Sequence, residues 1–349
     1  MDNNTNIQHF KRKHVSRYNT RSINSVDYRS DGQLLITSAD DDTIRLYKSH
    51  SLQQTRHSRK YGAAGIKFSH DGETAIFCST KINHDIRHYD YNKNSFIRYY
   101  QGHTKSVKSI AISQTPGVFV SAGLDKKVCF WSSNVPNPTT HMNFDSCQGN
   151  FAPRVCLDSL GRTAVALNSK EKSKVYIYAR NYLKRPESNF IIPSVNPLVD
   201  VLTDFQFSPD GRNLLLSYNN KLVVICAYSG KELKQIVNEH QARADFSGDS
   251  KLLVAASNDG WLKAWCVDDW EEEFGYRSAS CSDLSALKFH PSTSQFVTTS
   301  RNQLTFWDTE FYFPSSAPKK RGLGKNCKNK KKWYPKNKVK FETNNCNDS

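Results

Sequence analysis

A single pattern of apolar and polar positions repeats along most of the chain. A short apolar segment leads into a polar turn, a second apolar segment follows, and after another turn a third segment ends in an aromatic or aliphatic residue. Apolar and polar residues alternate within the segments, or β-branched and aromatic types dominate, which predicts strands rather than helices. The pattern therefore indicates an array of small antiparallel sheets.

Seven copies of this pattern share the same order of strands and turns. They are INSVDYRSDGQLLITSADDDTIRLY, AAGIKFSHDGETAIFCSTKINHDIRHY, VKSIAISQTPGVFVSAGLDKKVCFW, PRVCLDSLGRTAVALNSKEKSKVYIY, LTDFQFSPDGRNLLLSYNNKLVVI, ARADFSGDSKLLVAASNDGWLKAW and LSALKFHPSTSQFVTTSRNQLTFW. Residues 22–313 give about 42 residues per copy, which matches four-stranded propeller blades. We predict an all-β fold with a single seven-bladed β-propeller. Two stacked β-sandwiches are the alternative, which the regular period disfavours.

The ring needs one more strand to close. Blade seven has three strands up to Trp307, and little chain remains before Pro314. We predict that residues near 7–17 supply its outer strand, because a strand from the opposite terminus hides edges that an open ring would expose. The predicted domains are a closing segment at 1–21, the propeller at 22–313 and a disordered basic tail at 314–349.

Several polar and aromatic residues recur at the positions that stabilise blades in WD-repeat propellers. In that family an Asp in a tight turn bonds a loop His and thereby holds a Trp on the third strand. Blade three has His103, Asp125 and Trp131 in this order, and the predicted blade-stabilising set is Asp41, His103, Asp125, Trp131, Asp259, Trp265 and Trp307. Asn83, Asn219 and Arg301 take the place of the Asp in other blades, so packing should hold those blades together more than the polar network does.

The positive charge of the chain is concentrated at its end. Residues 314–349 carry a net charge of +9 out of a total of +16, and they are interrupted by Asn and Pro. Such a segment cannot form a core. It contains Lys319, Lys320, Arg321, Lys330, Lys331, Lys332, Trp333 and Tyr334. Two functions remain open for this tail: a nuclear-import signal, or an arm whose lysines contact nucleic-acid phosphates while its rings stack on unpaired bases.

Motifs for catalysis, metal binding and secretion are missing from the sequence. There is no G-x-S-x-G, Walker loop, H-E-x-x-H or Gly-rich phosphate fingerprint, so we predict no enzyme, no catalytic residue, no cofactor and no metal. Residues 40–42 are three Asp residues, which suit a capped turn better than a metal site because neighbouring side chains point in different directions. Nine scattered cysteines indicate reduced thiols. No segment is predicted to cross a membrane or direct secretion. We expect the acidic run at 268–273 to lie in an outer loop after blade six.

The strings of several blades resemble one family within the WD-repeat proteins. The segments RKYGAAGIKFSH, STKINHDIRHYDYNKNSFIRYYQGHTKSV, SAGLDKKVCFW, SNDGWLKAW and NQLTFW, together with the first blade, resemble the WD-repeat subunit of COMPASS-type histone-lysine methyltransferase complexes. The resemblance covers roughly residues 10–310. Blade four and the loop at 180–200 diverge from the family, and the basic tail extends beyond its usual end.

The resemblance implies a nuclear scaffold. Such subunits join a SET-domain methyltransferase to elongating RNA polymerase II, recognise its serine-phosphorylated C-terminal domain, and also belong to a phosphatase and transcription-termination assembly. A phosphoserine carries about −1.5 to −2 charges that Arg and Lys can pair. The candidate contacts in the matching segments are Arg59, Lys60, Lys81, Arg98 and Lys105.

Two other functions compete with this one. An RNA-processing or RNA-binding propeller would use the basic tail for its affinity. A ubiquitin-ligase substrate receptor often carries Trp-Asp-x-Arg after a blade, whereas Glu310 takes the place of that Arg here. The sequence therefore favours the chromatin scaffold, with RNA binding as the alternative.

Overall fold

The computed structural model describes residues 10–147, 151–169, 171–180, 184–237, 241–270, 272–278 and 283–309. Within these ranges the regular structure consists of strands, and they form seven four-stranded antiparallel sheets. The prediction of an all-β, seven-bladed propeller is thereby confirmed. No helix long and apolar enough to cross a bilayer occurs in these ranges. The predicted disordered tail at 314–349 lies outside them, and the predicted domain boundaries stay predictions.

Blades one to four each run from the innermost to the outermost strand in chain order. Blade one contains β2 (Ile23–Tyr28), β3 (Leu34–Ala39), β4 (Thr43–Lys48) and β5 (Ser51–His57); blade two contains β6 (Ala64–Phe68), β7 (Ala75–Cys78), β8 (Ile86–Asp90) and β9 (Ser95–Tyr100). Blade three contains β10 (Val107–Ile112), β11 (Val118–Gly123), β12 (Lys127–Ser132) and β13 (Thr140–Asn143); blade four contains β14 (Arg154–Leu157), β15 (Thr163–Asn168), β16 (Ser173–Tyr178) and β17 (Ser188–Ile192).

Blades five and six repeat this order, and blade seven combines both ends of the propeller sequence. Blade five contains β18 (Leu202–Phe207), β19 (Asn213–Tyr218), β20 (Lys221–Cys226) and β21 (Glu232–Val237); blade six contains β22 (Ala242–Phe246), β23 (Leu252–Ser257), β24 (Trp261–Cys266) and β25 (Glu272–Arg277). Blade seven contains β26 (Leu284–Phe289), β27 (Gln295–Ser300), β28 (Gln303–Thr309) and, as its outer strand, β1 (Phe10–Ser16).

The N-terminal strand closes the ring. β1 runs antiparallel to β28, with Phe10 opposite Thr309 and Ser16 opposite Leu304. Phe10 is 1% exposed and lies edge-on to Phe296, with ring centroids 6.0 Å apart. The strand therefore covers the edge of β28 and adds an aromatic side chain to the core of blade seven.

Among the described residues the core consists of seven apolar layers, each between two adjacent blades. Between blades two and three, for example, Ile76 and Ile86 of one sheet pack against Phe119 and Trp131 of the next. Because both faces of a blade are covered, its second and third strands are largely buried, and all six residues of β19 are buried. No blade can bury both of its faces alone, so the ring is the unit that buries its apolar surface.

The acidic run does not lie where the sequence placed it. Asp268, Asp269 and Trp270 form the turn between the third and fourth strands of blade six, and Glu272 begins β25. The expectation of a loop after blade six is therefore wrong. The fourth strand of a blade has an exposed face and tolerates charge, so its sequence has no apolar pattern that would reveal it.

Candidate partner-binding face and its supports

Loops from all blades meet at one end of the ring. In each blade the loop between the second and third strands lies at the same end as the loop that leads to the next blade, because antiparallel strands alternate in direction. We call this end the upper face. Its loops between blades one and three are residues 40–42, 58–63, 79–85 and 101–106.

In blade three, the structure brings His103, Asp125 and Trp131 together beneath the upper face. Trp131 Nε1 donates to Ser121 Oγ at 2.8 Å, and that oxygen lies 2.7 Å from His103 Nε2. The other ring nitrogen faces a carboxylate, which only accepts, so that nitrogen is the donor. That nitrogen, Nδ1, lies 3.0 Å from both carboxylate oxygens of Asp125. The four side chains thus form one continuous network.

Backbone amides complete the environment of Asp125. The Thr104 amide donates to its carboxylate at 3.0 Å, and the Lys127 amide does so at 3.3 Å. Burial alone would raise the pKa of Asp125, but the hydrogen bonds from His103 and these amides hold it below its ordinary value. The charged carboxylate therefore ties the loop at 101–106 to the third strand of its own blade.

Blade one has a related set of contacts around Asp41, with Asn19 in place of the histidine. Asn19 Nδ2 lies 3.5 Å from Asp41 Oδ2, and the Thr20 amide donates to the same oxygen at 2.9 Å. Burial would raise the pKa of Asp41, but hydrogen bonds from Thr43 and Thr20 and the charge of Arg45 lower it. Asn19 was not among the blade-stabilising residues predicted from the sequence. The signal was the dipeptide Asn19-Thr20, which matches His103-Thr104 of blade three.

The other predicted tryptophans are buried, with unequal polar support. Trp307 Nε1 donates to Thr298 Oγ1 at 2.9 Å, as Trp131 does to Ser121. Trp265 is 2% exposed, but Ala255 takes the position of that hydroxyl in blade six. Asp259 lies in an exposed turn, where it accepts from the Ser257 hydroxyl and the Trp261 amide. Blade six therefore lacks the hydroxyl that accepts from the tryptophan in blades three and seven.

Blade two uses an arginine, Arg87, that was not among the predicted site residues. The Arg87 guanidinium lies 3.3 Å from the centre of the Tyr61 ring and 4.7 Å from that of Tyr99. Its Nε donates to Ser79 Oγ at 2.7 Å, and Nη2 donates to Asn83 Oδ1 at 3.3 Å. Burial lowers the pKa of Arg87. The side chain joins the loops 58–63 and 79–85 by stacking and hydrogen bonding.

Four of the five candidate phosphopeptide contacts lie on the upper face. Arg59 and Lys60 are exposed in loop 58–63, and Lys105 is exposed in loop 101–106. Lys81 Nζ lies 2.6 Å from Asp42 Oδ2 and 3.4 Å from the Arg59 carbonyl, so it sits beside that loop. Next to it, the Ile82 side chain is 74% exposed. This group of cations and one apolar side chain occupies the upper face of blades one to three.

The fifth candidate, Arg98, lies elsewhere. It is on β9, the outer strand of blade two, opposite His88. Its Nε is buried, and the side chain is only half-exposed. The structure therefore separates Arg98 from the loops that carry the other four candidates.

The three consecutive Asp residues point to three different partners. Asp40 accepts from Asn24 Nδ2 at 2.8 Å, Asp41 belongs to the buried network, and Asp42 pairs with Lys81. In the described ranges no group of three or more His, Cys, Asp or Glu side chains is placed to hold a metal ion. The carboxylates of this turn thus serve local structure.

The described cysteines are free thiols. They are Cys78, Cys129, Cys147, Cys156, Cys226 and Cys266. Burial raises the pKa of Cys78 and Cys129 to about 12 and that of Cys147 to about 11. These three thiols are therefore protonated near neutral pH.

The predicted residues of the tail lie outside the described part of the chain. They are Lys319, Lys320, Arg321, Lys330, Lys331, Lys332, Trp333 and Tyr334. The candidate site that can be described is consequently the upper face alone.

Comparison with known proteins supports the prediction of WD repeats. The family model described as WD domain, G-beta repeat, matches residues 10–48 and 94–132. Each match begins at or just before the outer strand of one blade and ends with the third strand of the next. The sequence repeat is thus offset from the structural blade by one strand, as ring closure by β1 requires.

Curated relatives match over most of the chain. WD repeat-containing protein 82 of Drosophila melanogaster is 29% identical over 314 residues, covering 86% of this chain and 95% of that protein. Set1 complex component swd2 of Schizosaccharomyces pombe is 31% identical over 249 residues, covering 67% and 68%. COMPASS component SWD2 of Saccharomyces cerevisiae is 24% identical over 277 residues, covering 74% and 82%. The resemblance predicted from the blade strings is confirmed, and the chain belongs to the family of WD-repeat proteins that includes the Set1 complex component swd2.

Proposed function

We propose that this protein is a non-catalytic, nuclear scaffold of a chromatin and transcription complex. In this proposal it links a histone-lysine methyltransferase to the phosphorylated C-terminal domain of RNA polymerase II. The observation that carries the proposal is the similarity to proteins named as Set1 and COMPASS components, which extends over most of the propeller. A protein phosphatase and termination complex is a further proposed partner.

The chemistry of the upper face supports recognition of a phosphoserine peptide. Arg59 and Lys60 are exposed, and Lys81 lies beside them. An Arg and two Lys can pair with a phosphate that carries about −1.5 to −2 charges. The exposed Ile82 and the 42% exposed Tyr99 offer apolar contacts to neighbouring peptide residues. Arg98 lies on an outer strand, so we assign it at most a contact with a distant part of a long peptide.

The loops that carry these cations are held in place before any partner binds. The Thr80 and Lys81 amides both donate to the Tyr61 carbonyl at 2.9 Å, and the Ser58 hydroxyl donates to the Gly62 carbonyl at 2.9 Å. Arg87 stacks on Tyr61 beneath them. A preorganised loop loses less conformational entropy when it binds a peptide.

Titration with serine-phosphorylated heptad-repeat peptides tests this site. The double variant Lys60→Gln/Lys81→Gln should bind the phosphopeptide about tenfold more weakly than the natural chain, because it loses two charge-assisted contacts. The matched control is Lys93→Gln, an exposed lysine in the opposite end of blade two. Fluorescence anisotropy at constant ionic strength measures the affinities. Equal affinity for phosphorylated and unphosphorylated peptide would contradict a phosphoserine site.

The RNA-binding alternative predicts a different dependence on salt. Binding of single-stranded RNA through the lysines of residues 314–349 should weaken with a log–log slope of about −0.7 per neutralised phosphate. It should also disappear when those residues are removed and stay unchanged in Lys60→Gln/Lys81→Gln. These outcomes together would favour the alternative over the scaffold.

A further inference from the structure

The centre of the ring contains a charged channel. The innermost strands of the seven blades line a cavity of about 640 Å³. Its basic lining residues are Lys67, Lys108, Arg154, Arg243 and Lys288, and its acidic ones are Asp27 and Asp204. The volume is in the range of cavities that hold small molecules.

On one side of the channel the charges are paired. Lys67 Nζ lies 3.1 Å from Asp27 Oδ1, and Lys288 Nζ lies 3.0 Å from Asp245 Oδ2. Both carboxylates also accept a backbone amide, from Phe68 in the first case and Phe289 in the second. Lys67 and Lys288 therefore need no further ligand.

The three remaining cations of the channel have no ion-pair partner among the described residues. They are Lys108 on β10, Arg154 on β14 and Arg243 on β22, and no carboxylate oxygen in the described ranges lies within 4.0 Å of their nitrogens. Asp204 lies on β18, the strand between the two arginines in the ring, and its charge attracts both. One carboxylate is thus shared by both arginines, and it forms an ion pair within 4.0 Å with neither of them.

The hydrogen bonds of these arginines go to neutral acceptors. Arg154 Nη1 donates to the Lys108 carbonyl, while its Nε is buried without a partner in the described part of the chain. Arg243 donates to the Ser285 carbonyl at 2.9 Å, to Thr203 Oγ1 at 2.8 Å and, through Nη2, to the Gln241 side-chain oxygen at 2.9 Å. Burial lowers the pKa of both arginines, yet a guanidinium stays charged at neutral pH.

A desolvated charge without a counter-ion costs free energy, which a bound anion would offset. We propose that the central channel binds a small polyanion built of phosphate groups, with Lys108, Arg154 and Arg243 contacting its oxygens. Guanidinium groups suit this ligand because they donate two parallel hydrogen bonds to a phosphate. The channel ligand is separate from the phosphopeptide proposed for the upper face, since Lys108 and both arginines lie on innermost strands.

Anion-dependent thermal stability tests the site in the full chain. Millimolar inorganic triphosphate should raise the melting temperature by about 5 °C, since a ligand that binds the folded state stabilises it by mass action. Triphosphate bound to the predicted disordered tail should not raise the melting temperature. The tail keeps its charges when the propeller unfolds, so it binds the folded and the unfolded chain equally. Orthophosphate and sulfate at equal ionic strength separate a polyphosphate site from a general salt effect.

Three variants locate the ligand. Lys108 is exposed to the channel. Lys108→Gln should reduce the rise in melting temperature with triphosphate and weaken the apparent affinity about tenfold. Asp204 is also exposed. Asp204→Asn should increase both the rise in melting temperature and the apparent affinity, because it removes the competing carboxylate. Lys105→Gln on the upper face should leave the rise unchanged. No rise with triphosphate, an equal rise with sulfate, or an equal rise in all variants would overturn the proposal.

Discussion

Individual residues show which parts of the blade-stabilising hydrogen-bond networks can be predicted from the sequence. His103, Asp125 and Trp131 were identifiable because their types and local spacing in blade three are those of a WD repeat. Asn19 and Arg87 were missed because they do the same task with different chemistry, an amide in one blade and a stacked guanidinium in another. Spacing alone does not reveal a functional substitute of another residue type.

Asp125 should make the stability of the protein depend on pH. Its folded-state pKa lies below the unfolded value of about 3.9, so its stabilising contribution is present above that pH and is lost as the pH falls through the folded-state pKa. At pH 7 we expect Asp125→Asn to lower the free energy of unfolding by about 1.5–3 kcal/mol. The variant should therefore unfold at a lower denaturant concentration than the natural chain. The difference from the natural chain should shrink toward pH 3.

The matched control for Asp125 is Asp145→Asn, which changes an exposed Asp beyond the outer strand of the same blade. It should leave the unfolding midpoint nearly unchanged across the pH range. Chemical denaturation followed by tryptophan fluorescence measures both variants. A pH-independent difference for Asp125→Asn would contradict a role for the carboxylate charge.

Among the elements, outer strands were the hardest to predict. The second and third strands of each blade are largely buried because both faces are covered, and their runs of apolar residues allowed them to be predicted from the sequence. The outer strand β25 begins in an acidic run, which looked like a loop. β1 also carries four consecutive exposed residues, and it was located by the need to close the ring rather than by its own pattern.

Removal of β1 should destabilise the whole ring. Deleting residues 1–20 exposes the edge of β28 and removes Phe10, Asn19 and their contacts. Loss of a buried Phe alone costs about 3–5 kcal/mol, so the melting temperature should fall by several degrees. Deleting only residues 1–9, which leaves β1 intact, is the control. Equal melting of the two truncated chains, measured by calorimetry, would show that β1 does not stabilise the propeller.

At the scale of the whole molecule, the ring places loops from different blades on one rigid face. The upper face combines Arg59, Lys81 and Lys105, and the channel combines Arg154 with Arg243. The channel cluster escaped prediction because its members come from strands about 45 or more residues apart, and only the circular order of the blades brings them together. The fold was predictable because the repeat itself encodes the closed ring.

Affinity purification from nuclear extract tests the central claim most directly. The full chain, and a chain ending at residue 313 as the matched control, would each be captured and the bound proteins identified by mass spectrometry. The scaffold account predicts that both recover subunits of a histone-lysine methyltransferase complex together with RNA polymerase II, because the propeller carries the contacts. Recovery of neither partner by either chain would contradict it.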